Sequence, residues 1–437
     1  MMTAASFSEL ERRVEASRLA AWIDGRAEVG QGPWLLYLSP TNYCNLRCAV
    51  CARQEQMREE RGMLSPAAAE KILSRLPDTI HKIYLQKQGE PTMNPQLAEI
   101  ARLVRQRFPK AQLAMHTNGL LMTAKLAEAL APLFDFTAFS ISAITRQTYA
   151  ACHGRDRFTQ ALAGLRAFLD ARKALDRWDN NVFIDYVRQS GNRAETPEAV
   201  AAFFRTYFGE LNSVDIHWTD SFQGAIEEAR FVPAEHLDER RLPRCTFPWG
   251  TLTVLHDGRL TYCFVEPKEN VIWGSLLEHS FEELWNGPEY VAFRRAMAEG
   301  RLSELARQGF GCRECAWLWS TQAQKPAMLG LGMGDLEPDL SSFAPASPED
   351  LGLVGLKHLA TGQFAAAAGT FDWALGQSPE PALAERLAHW KRKAEAGLAL
   401  SWPRPDWVRA LARCNRTPAD LRSQYIRFRP PGQKPSV

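Results

Sequence analysis

Cys44, Cys48 and Cys51 stand in the run Thr41 to Arg53, TNYCNLRCAVCAR, with a C-x3-C-x2-C spacing. Thiolates this close can face one iron-bearing cube. A four-iron cluster normally takes four cysteine thiolates, so a loop that offers three leaves one iron open to a ligand that is not protein. Zinc would need a fourth cysteine or histidine at short spacing, and none lies between Arg53 and Ile80. A second constellation, Cys245, Cys263, Cys312 and Cys315, ends in a C-x2-C pair and supplies four thiolates, enough to saturate a cluster or a zinc ion. Cys152 and Cys414 stand alone, and most lone cysteines are small core hydrophobes.

With apolar Val50 just before its last cysteine, the first constellation resembles the cluster-binding signature of the radical S-adenosylmethionine (SAM) enzymes. That resemblance implies a [4Fe-4S] cluster at Cys44, Cys48 and Cys51, with the amino and carboxylate groups of SAM on the open iron. An electron from an external reductant of the flavodoxin or ferredoxin type then splits SAM into methionine and a 5'-deoxyadenosyl radical, and the protein positions this reagent against a substrate. Gln88-Gly89-Glu90-Pro91 resembles the family's G-G-E-P, in which backbone and Glu hold the SAM ammonium; here Gln88 replaces the first Gly. By the same resemblance Asn118 of Thr117-Asn118-Gly119, with Ser140 and Ser142, would touch the SAM ribose or carboxylate. Arg155 of His153-Gly154-Arg155 would take the carboxylate, with His153 as the alternative. The second constellation resembles the small auxiliary-cluster domain called twitch, a shortened SPASM domain, which implies a second, fully ligated [4Fe-4S] cluster acting as electron acceptor or conduit. Cys152, beside the SAM segment, is the candidate thiol if the chemistry is a radical epimerisation.

The elements that must position these groups alternate. Strand-like runs WLLYLSP, HKIYLQKQ, AQLAMHTN, TAFSISA, NVFIDYVRQ and SVDIHWT are separated by helical stretches beginning near Ser65, Asn94, Thr123, Phe158 and Thr196. Such alternation predicts an α/β fold with a parallel sheet and functional groups at the carboxyl ends of its strands. The count fits the family's partial (β/α)6 TIM-like barrel, joined to a small auxiliary-cluster domain and an α-helical C-terminal extension. Period-two parity with Glu90 and Asn118 places Tyr84, Gln86, Gln88, Gln112 and His116 on the interior face. Choosing the polar parity on later strands adds Asp185, Gln189, Asp215, His217 and Thr219, so that Asp185 and His217 join Cys152 as catalytic candidates. A polar interior suits a hydroxylated or amino-bearing substrate, or serves SAM and water alone.

The 437 residues, 46% hydrophobic and 23% charged, exceed one ordinary domain. We divide them into 1–33, a helix with a Gly-containing linker packed on the main domain; 34–235, the partial barrel; 236–323, the auxiliary-cluster domain with a hairpin turned at Asp257-Gly258; 324–350, a linker; and 351–437, a helical extension with a disordered tail from Arg427. Gly355, Gly362, Phe364, Ala367, Phe371, Ala374 and Pro379 keep the offsets of a single tetratricopeptide repeat, which can pack on the core or dock a protein partner. A net charge of +2 gives no electrostatic case for nucleic acid or a membrane surface. No signal-like or membrane-length apolar run occurs, which with the cysteine pattern predicts a cytoplasmic protein.

Taken together, the motifs predict a radical SAM oxidoreductase that abstracts hydrogen from a C–H bond of a small hydroxylated natural-product intermediate of the sugar or aminocyclitol class and oxidises it. Within the family the lone auxiliary cluster is similar to that of an aminocyclitol dehydrogenase. Alternatives are maturation of a ribosomal peptide, a redox-neutral epimerase or diol dehydratase, and a two-cluster electron carrier, which would leave the SAM motifs without a purpose.

Overall fold

Six strands alternate with helices between Leu35 and Trp218: β1 (Leu35–Leu38), β2 (Lys82–Tyr84), β3 (Gln112–Thr117), β4 (Phe136–Phe139), β5 (Asn181–Arg188) and β6 (Ser213–Trp218). Each lies parallel to the next, forming the expected α/β core, a sheet that stays open among the described residues. The computed structural model describes residues 9–51, 61–218, 245–267, 269, 271–315, 347–360, 364–398 and 424–428. Helices start where sequence chemistry places them. Ser65 and Thr196 accept the N–H groups of Ala68 and Ala199, each followed by a proline whose missing N–H costs the first turn nothing.

Along the strands the period-two pattern decides which side chains meet the helices. Leu36, Ile83, Leu113, Ile184 and Val214 are fully buried in the core. On the opposite face Tyr84 stands beside Tyr37 and Ala114, and Asp185 beside Asp215. The interior parity of Tyr84, His116, Asp185 and Asp215 is therefore as the sequence predicts.

Both edges of the six-stranded sheet are extended. The hairpin expected at Asp257-Gly258 forms from β7 (Thr251–Val254) and β8 (Arg259–Thr261), with Gly258 at φ 84° in its turn. β7 runs parallel to β1, and β9 (Ile272–Ser275) follows β8. The auxiliary segment thus shares one ten-stranded sheet with the barrel core rather than standing apart, because β1 would otherwise leave a row of backbone N–H and C=O groups unpaired. At the other edge β10 (Gln424–Arg427) pairs antiparallel with β6, and Phe428 is buried with its N–H donated to the Asn212 carbonyl. The tail is thus ordered through Phe428, where disorder was expected from Arg427; its remainder, the linker up to Ala346, Thr219 and Cys414 lie outside the described residues.

The C-terminal helices Pro348–Ala360, Phe364–Gly376 and Pro381–Leu398 pair closely. A Cβ on Gly355 would fall 2.4 Å from the Phe371 ring, so only glycine admits that approach. His389 and Lys393 face the Asp24 carboxylate at 3.0 and 3.7 Å, joining the extension to the N-terminal helix Glu9–Asp24. The Gly-containing linker is a strap rather than a free spacer. Trp249 and Trp285 donate their indole N–H groups to the carbonyls of Arg26 and Gln31, and Asn286 exchanges two hydrogen bonds with the Val29 backbone.

Arg294 organises this strap from inside. Its fully buried guanidinium lies 4.3 and 4.0 Å from the Trp285 and Tyr290 ring centroids and donates to the carbonyls of Pro248, Trp285 and Ala27. Burial lowers its pKa to about 10. Arg294→Met should keep most of the volume but strip those carbonyls of their donor, at a cost of about 3 kcal/mol. Thermal unfolding followed by circular dichroism measures this, and an unchanged Tm would show that the guanidinium contributes packing alone.

Candidate active site

The loop that carries Cys44, Cys48 and Cys51 leaves β1 at Ser39 and is held from both sides. On one side Thr41 Oγ1 donates to the Gly62 carbonyl at 2.7 Å, Gly62 N donates to Asn42 Oδ1 at 2.8 Å, and Asn94 Nδ2 bridges the carbonyls of Pro40 and Leu64. On the other, the N–H groups of Arg47 and Ala49 donate to the carbonyls of His153 and Cys152 at the end of the helix Arg146–His153. Gly154 ends that helix at φ 74°, and a Cβ there would sit 2.3 Å from the Arg47 carbonyl. The close approach therefore requires glycine.

Burial raises the Cys48 thiol pKa, and the neighbouring Cys51, Cys44 and Cys152 raise it further, so the three loop thiols form one group with Cys152 behind them. Cys152 is fully buried behind the cysteine loop. His153, weighed as an alternative contact for the SAM carboxylate, instead places Nδ1 3.3 Å from Cys48 Sγ while Nε2 accepts the Ser142 N–H at 3.2 Å. Burial lowers its pKa to about 4. Arg155 is exposed.

Glu90 joins this loop to two others. Its N–H donates to the Tyr43 carbonyl at 2.7 Å, while its carboxylate, 2% exposed, accepts Thr92 N, Thr92 Oγ1, Thr117 Oγ1 and Asn118 N. Burial raises the Glu90 pKa, and these donors oppose the rise. Gly89 beside it has φ 132°, and a Cβ there would lie 2.5 Å from the Thr41 carbonyl. Asn118 donates from Nδ2 to Asn45 Oδ1 at 2.7 Å, completing the link between the Thr117-Asn118-Gly119 turn and the cysteine loop. Three of the motifs singled out in the sequence thus meet at one residue, Glu90, the cysteine loop at its backbone N–H and the Thr117-Asn118-Gly119 turn at its carboxylate.

Further along the interior face, His116 Nδ1 lies 3.1 Å from Asp185 Oδ2, and Ser140 Oγ donates to the same oxygen at 3.2 Å. The imidazole is flanked by the rings of Tyr84 and Phe183, each 6.1 Å away, and its Nε2 has no hydrogen-bond partner among the described residues. Ser142, in contrast, spends its hydroxyl on the Val187 N–H, and its carbonyl accepts from Asn192 Nδ2. Gln86 accepts the His116 N–H, so it fastens β2 to β3. His217 sits opposite Val187 in the β5–β6 register. Parity could place His116 and Asp185 on one face; their pairing across β4 carries no sequence signal.

Cys245, Cys263, Cys312 and Cys315 line one recess whose other walls are Phe247, Pro248, Tyr262, Phe293 and Met297. Burial, then Cys245, Cys315 and Cys312, raises the Cys263 pKa. Four soft thiols around an apolar recess are a donor set that suits an iron–sulfur cluster. Phe264, next to Cys263, stacks on Tyr37 at 4.2 Å, and Tyr37 stacks on Tyr84 at 5.0 Å, joining this recess to the interior face. A buried ion pair, Lys87 with Glu269 at 2.8 Å, and a hydrogen bond from Gln88 Nε2 to the Glu266 carbonyl at 2.7 Å tie the Q-G-E-P turn to the same segment. Gln88, where the family motif has Gly, thus serves a contact between the two cysteine regions that local sequence does not reveal.

Truncating Glu90 to Ala should leave the donors of Thr92, Thr117 and Asn118 unpaired and cost about 3 kcal/mol or more. Glu90→Gln should cost less, because one oxygen survives while the amide N–H2 confronts donors. Equal melting temperatures for wild type and Glu90→Ala in cluster-free protein would show that the carboxylate does not hold these loops.

Comparison with known proteins places these two cysteine regions. The model described as the radical SAM superfamily matches residues 38–187, and the SPASM iron-sulfur cluster-binding domain matches residues 245–316. The tungsten-containing aldehyde ferredoxin oxidoreductase cofactor-modifying protein of Pyrococcus furiosus is 34% identical over 299 residues, which are 59% of this chain and 82% of that protein. A GTP 3',8-cyclase of Mycobacterium marinum is 31% identical over 175 residues, 38% of this chain and 48% of its own length, so the chain spans about half of that enzyme. Among solved structures, BtrN in complex with AdoMet and 2-DOIA aligns with a TM-score of 0.45 at 17% identity, over 65% of this chain and 93% of that one. The chain belongs to the radical SAM superfamily, whose enzymes bind a [4Fe-4S] cluster and SAM, and it carries a C-terminal SPASM iron–sulfur cluster-binding domain.

Proposed function

We propose that this enzyme oxidises a secondary alcohol of a small hydroxylated molecule, of the sugar or aminocyclitol class, to a ketone. Cys44, Cys48 and Cys51 hold the SAM cluster on this reading, and Cys245, Cys263, Cys312 and Cys315 hold an auxiliary one. Gly89, Glu90, Asn118 and Arg155 serve SAM, Glu90 and Asn118 chiefly by fixing the loops around it. When bound, cluster and SAM supply a 5'-deoxyadenosyl radical able to remove a hydrogen atom from an unactivated C–H bond.

The observation that carries the reading is the His116–Asp185–Ser140 group on the interior face. Oxidation of an alcohol removes a hydrogen atom from carbon, a proton from oxygen and an electron. Asp185 accepts from His116 Nδ1–H and so leaves Nε2 as a base open to the interior, the geometry needed to take the hydroxyl proton. The rings of Tyr84 and Phe183 flank the imidazole. For the electron, the four-thiol recess, reached through Phe264, Tyr37 and Tyr84, is the candidate acceptor site. The relative named a cofactor-modifying protein favours a second reading, in which the substrate is the cofactor of another enzyme.

Iron analysis tests the two sites. Anaerobically reconstituted protein should hold about eight irons and eight sulfides, and the triple variant Cys44→Ala, Cys48→Ala, Cys51→Ala about four of each. Zinc at the second site would overturn its assignment as a cluster.

The chemistry is tested with Asp185→Asn, whose amide donates to His116 Nδ1 and forces the proton onto Nε2. Ketone formation should fall about 10²–10⁴-fold while SAM cleavage to 5'-deoxyadenosine persists. Deuterium at the reacting carbon should appear in 5'-deoxyadenosine, with SAM consumed stoichiometrically with product. Product at the substrate's oxidation state, bearing solvent hydrogen at that carbon, would establish epimerisation instead.

A further inference from the structure

His153 stands outside the chemistry proposed above, yet both of its ring nitrogens are committed. The Ser142 backbone N–H, which can only donate, lies 3.2 Å from Nε2, so Nε2 must present its lone pair. A neutral imidazole then carries its proton on Nδ1, and Nδ1 lies 3.3 Å from Cys48 Sγ. The ring cannot easily turn away. It is 4% exposed, packs at 4.3 Å on Tyr149, and belongs to a residue whose own carbonyl accepts the Arg47 N–H of the cysteine loop. Ser142 is fixed in turn by the Val187 N–H on its hydroxyl and by Asn192 Nδ2 on its carbonyl. A continuous chain of hydrogen bonds therefore runs from the end of β5, through Ser142 and His153, to the sulfur of Cys48.

We propose that His153 donates Nδ1–H to the Cys48 sulfur and thereby raises the reduction potential of the cluster held by Cys44, Cys48 and Cys51. A hydrogen bond to a ligating thiolate disperses negative charge. Reduction adds an electron to the cluster, so the bond is stronger in the reduced state and favours it. The same commitment removes His153 from SAM, since neither ring nitrogen is left for the carboxylate. The inference rests on the superfamily's cluster and is independent of which substrate is oxidised.

The test is a redox titration of the full-length holoenzyme monitored by electron paramagnetic resonance, following the reduced-cluster signal that responds to added SAM. In His153→Phe, which keeps an aromatic ring and removes the donor, the ratio of reduced to oxidised cluster at a fixed potential should fall about tenfold, equivalent to about 59 mV for one electron. His153→Gln, whose amide retains a donor and an acceptor, should stay within about threefold of wild type on the same scale. A wild-type potential in iron-loaded His153→Phe, or equal shifts in both variants, would overturn the proposal. If His153→Phe does not load iron, pulsed spectroscopy of wild-type protein grown on isotopically labelled histidine decides. An imidazole nitrogen coupled to the reduced cluster supports the bond, and its absence refutes it.

Discussion

The Glu90 carboxylate accepts four hydrogen bonds in a site almost closed to solvent, and three loops depend on it. An ionised carboxylate without partners would cost many kcal/mol to bury, so the donors of Thr92, Thr117 and Asn118 are what make its placement possible. In return the carboxylate sets where those loops end. Its own backbone N–H secures Tyr43 next to Cys44, and Asn118, positioned by Glu90, reaches Asn45 on the other side of that cysteine. The cysteine loop is thus shaped from below by a buried residue, through its backbone and through Asn118. Gly89 belongs to the same device, because a side chain there would collide with the Thr41 carbonyl and lift the turn from the loop.

What could be read from the sequence was local chemistry and period. The spacing of Cys44, Cys48 and Cys51, the β-α alternation and the interior parity of Tyr84, His116 and Asp185 all follow from residues close in the chain. The partners of those residues did not follow, because they lie far apart in sequence. Gln88 meets Glu266, Lys87 meets Glu269, and Phe264 stacks on Tyr37, all across the joint between the barrel core and the SPASM segment. His153 was legible as part of a motif segment but not as the neighbour of Cys48, since that contact depends on how the helix Arg146–His153 approaches the loop. The edge strand Gln424–Arg427 was missed for a related reason. A four-residue strand carries little period-two signal, and only the exposed side of β6 gives it a place.

The joint between the two cysteine regions is made of sheet, ion pair and stacked rings, and each element restrains a different motion. β7 fixes the SPASM segment along β1, the buried Lys87–Glu269 pair fixes it against the Q-G-E-P turn, and Tyr37 fills the space between Tyr84 and Phe264. A buried ion pair is weak evidence for added stability, but it penalises any arrangement that separates its partners and leaves one charge unpaired. The two cysteine regions are thereby held at a set distance from the interior face rather than hinged over it.

The pairing of β1 with β7 also has a consequence for biosynthesis. Leu35–Leu38 must wait for Thr251–Val254, and at ordinary rates of translation that interval is on the order of ten seconds or more. Throughout it the nascent chain displays a bare, apolar strand edge, the kind of surface that templates aggregation and recruits chaperones. β6 waits in the same way for Gln424–Arg427. Neither edge strand of the parallel core, β1 or β6, is paired on its outer side until those late segments have been synthesised, so a fragment that stops at the end of the parallel core would leave both unpaired there.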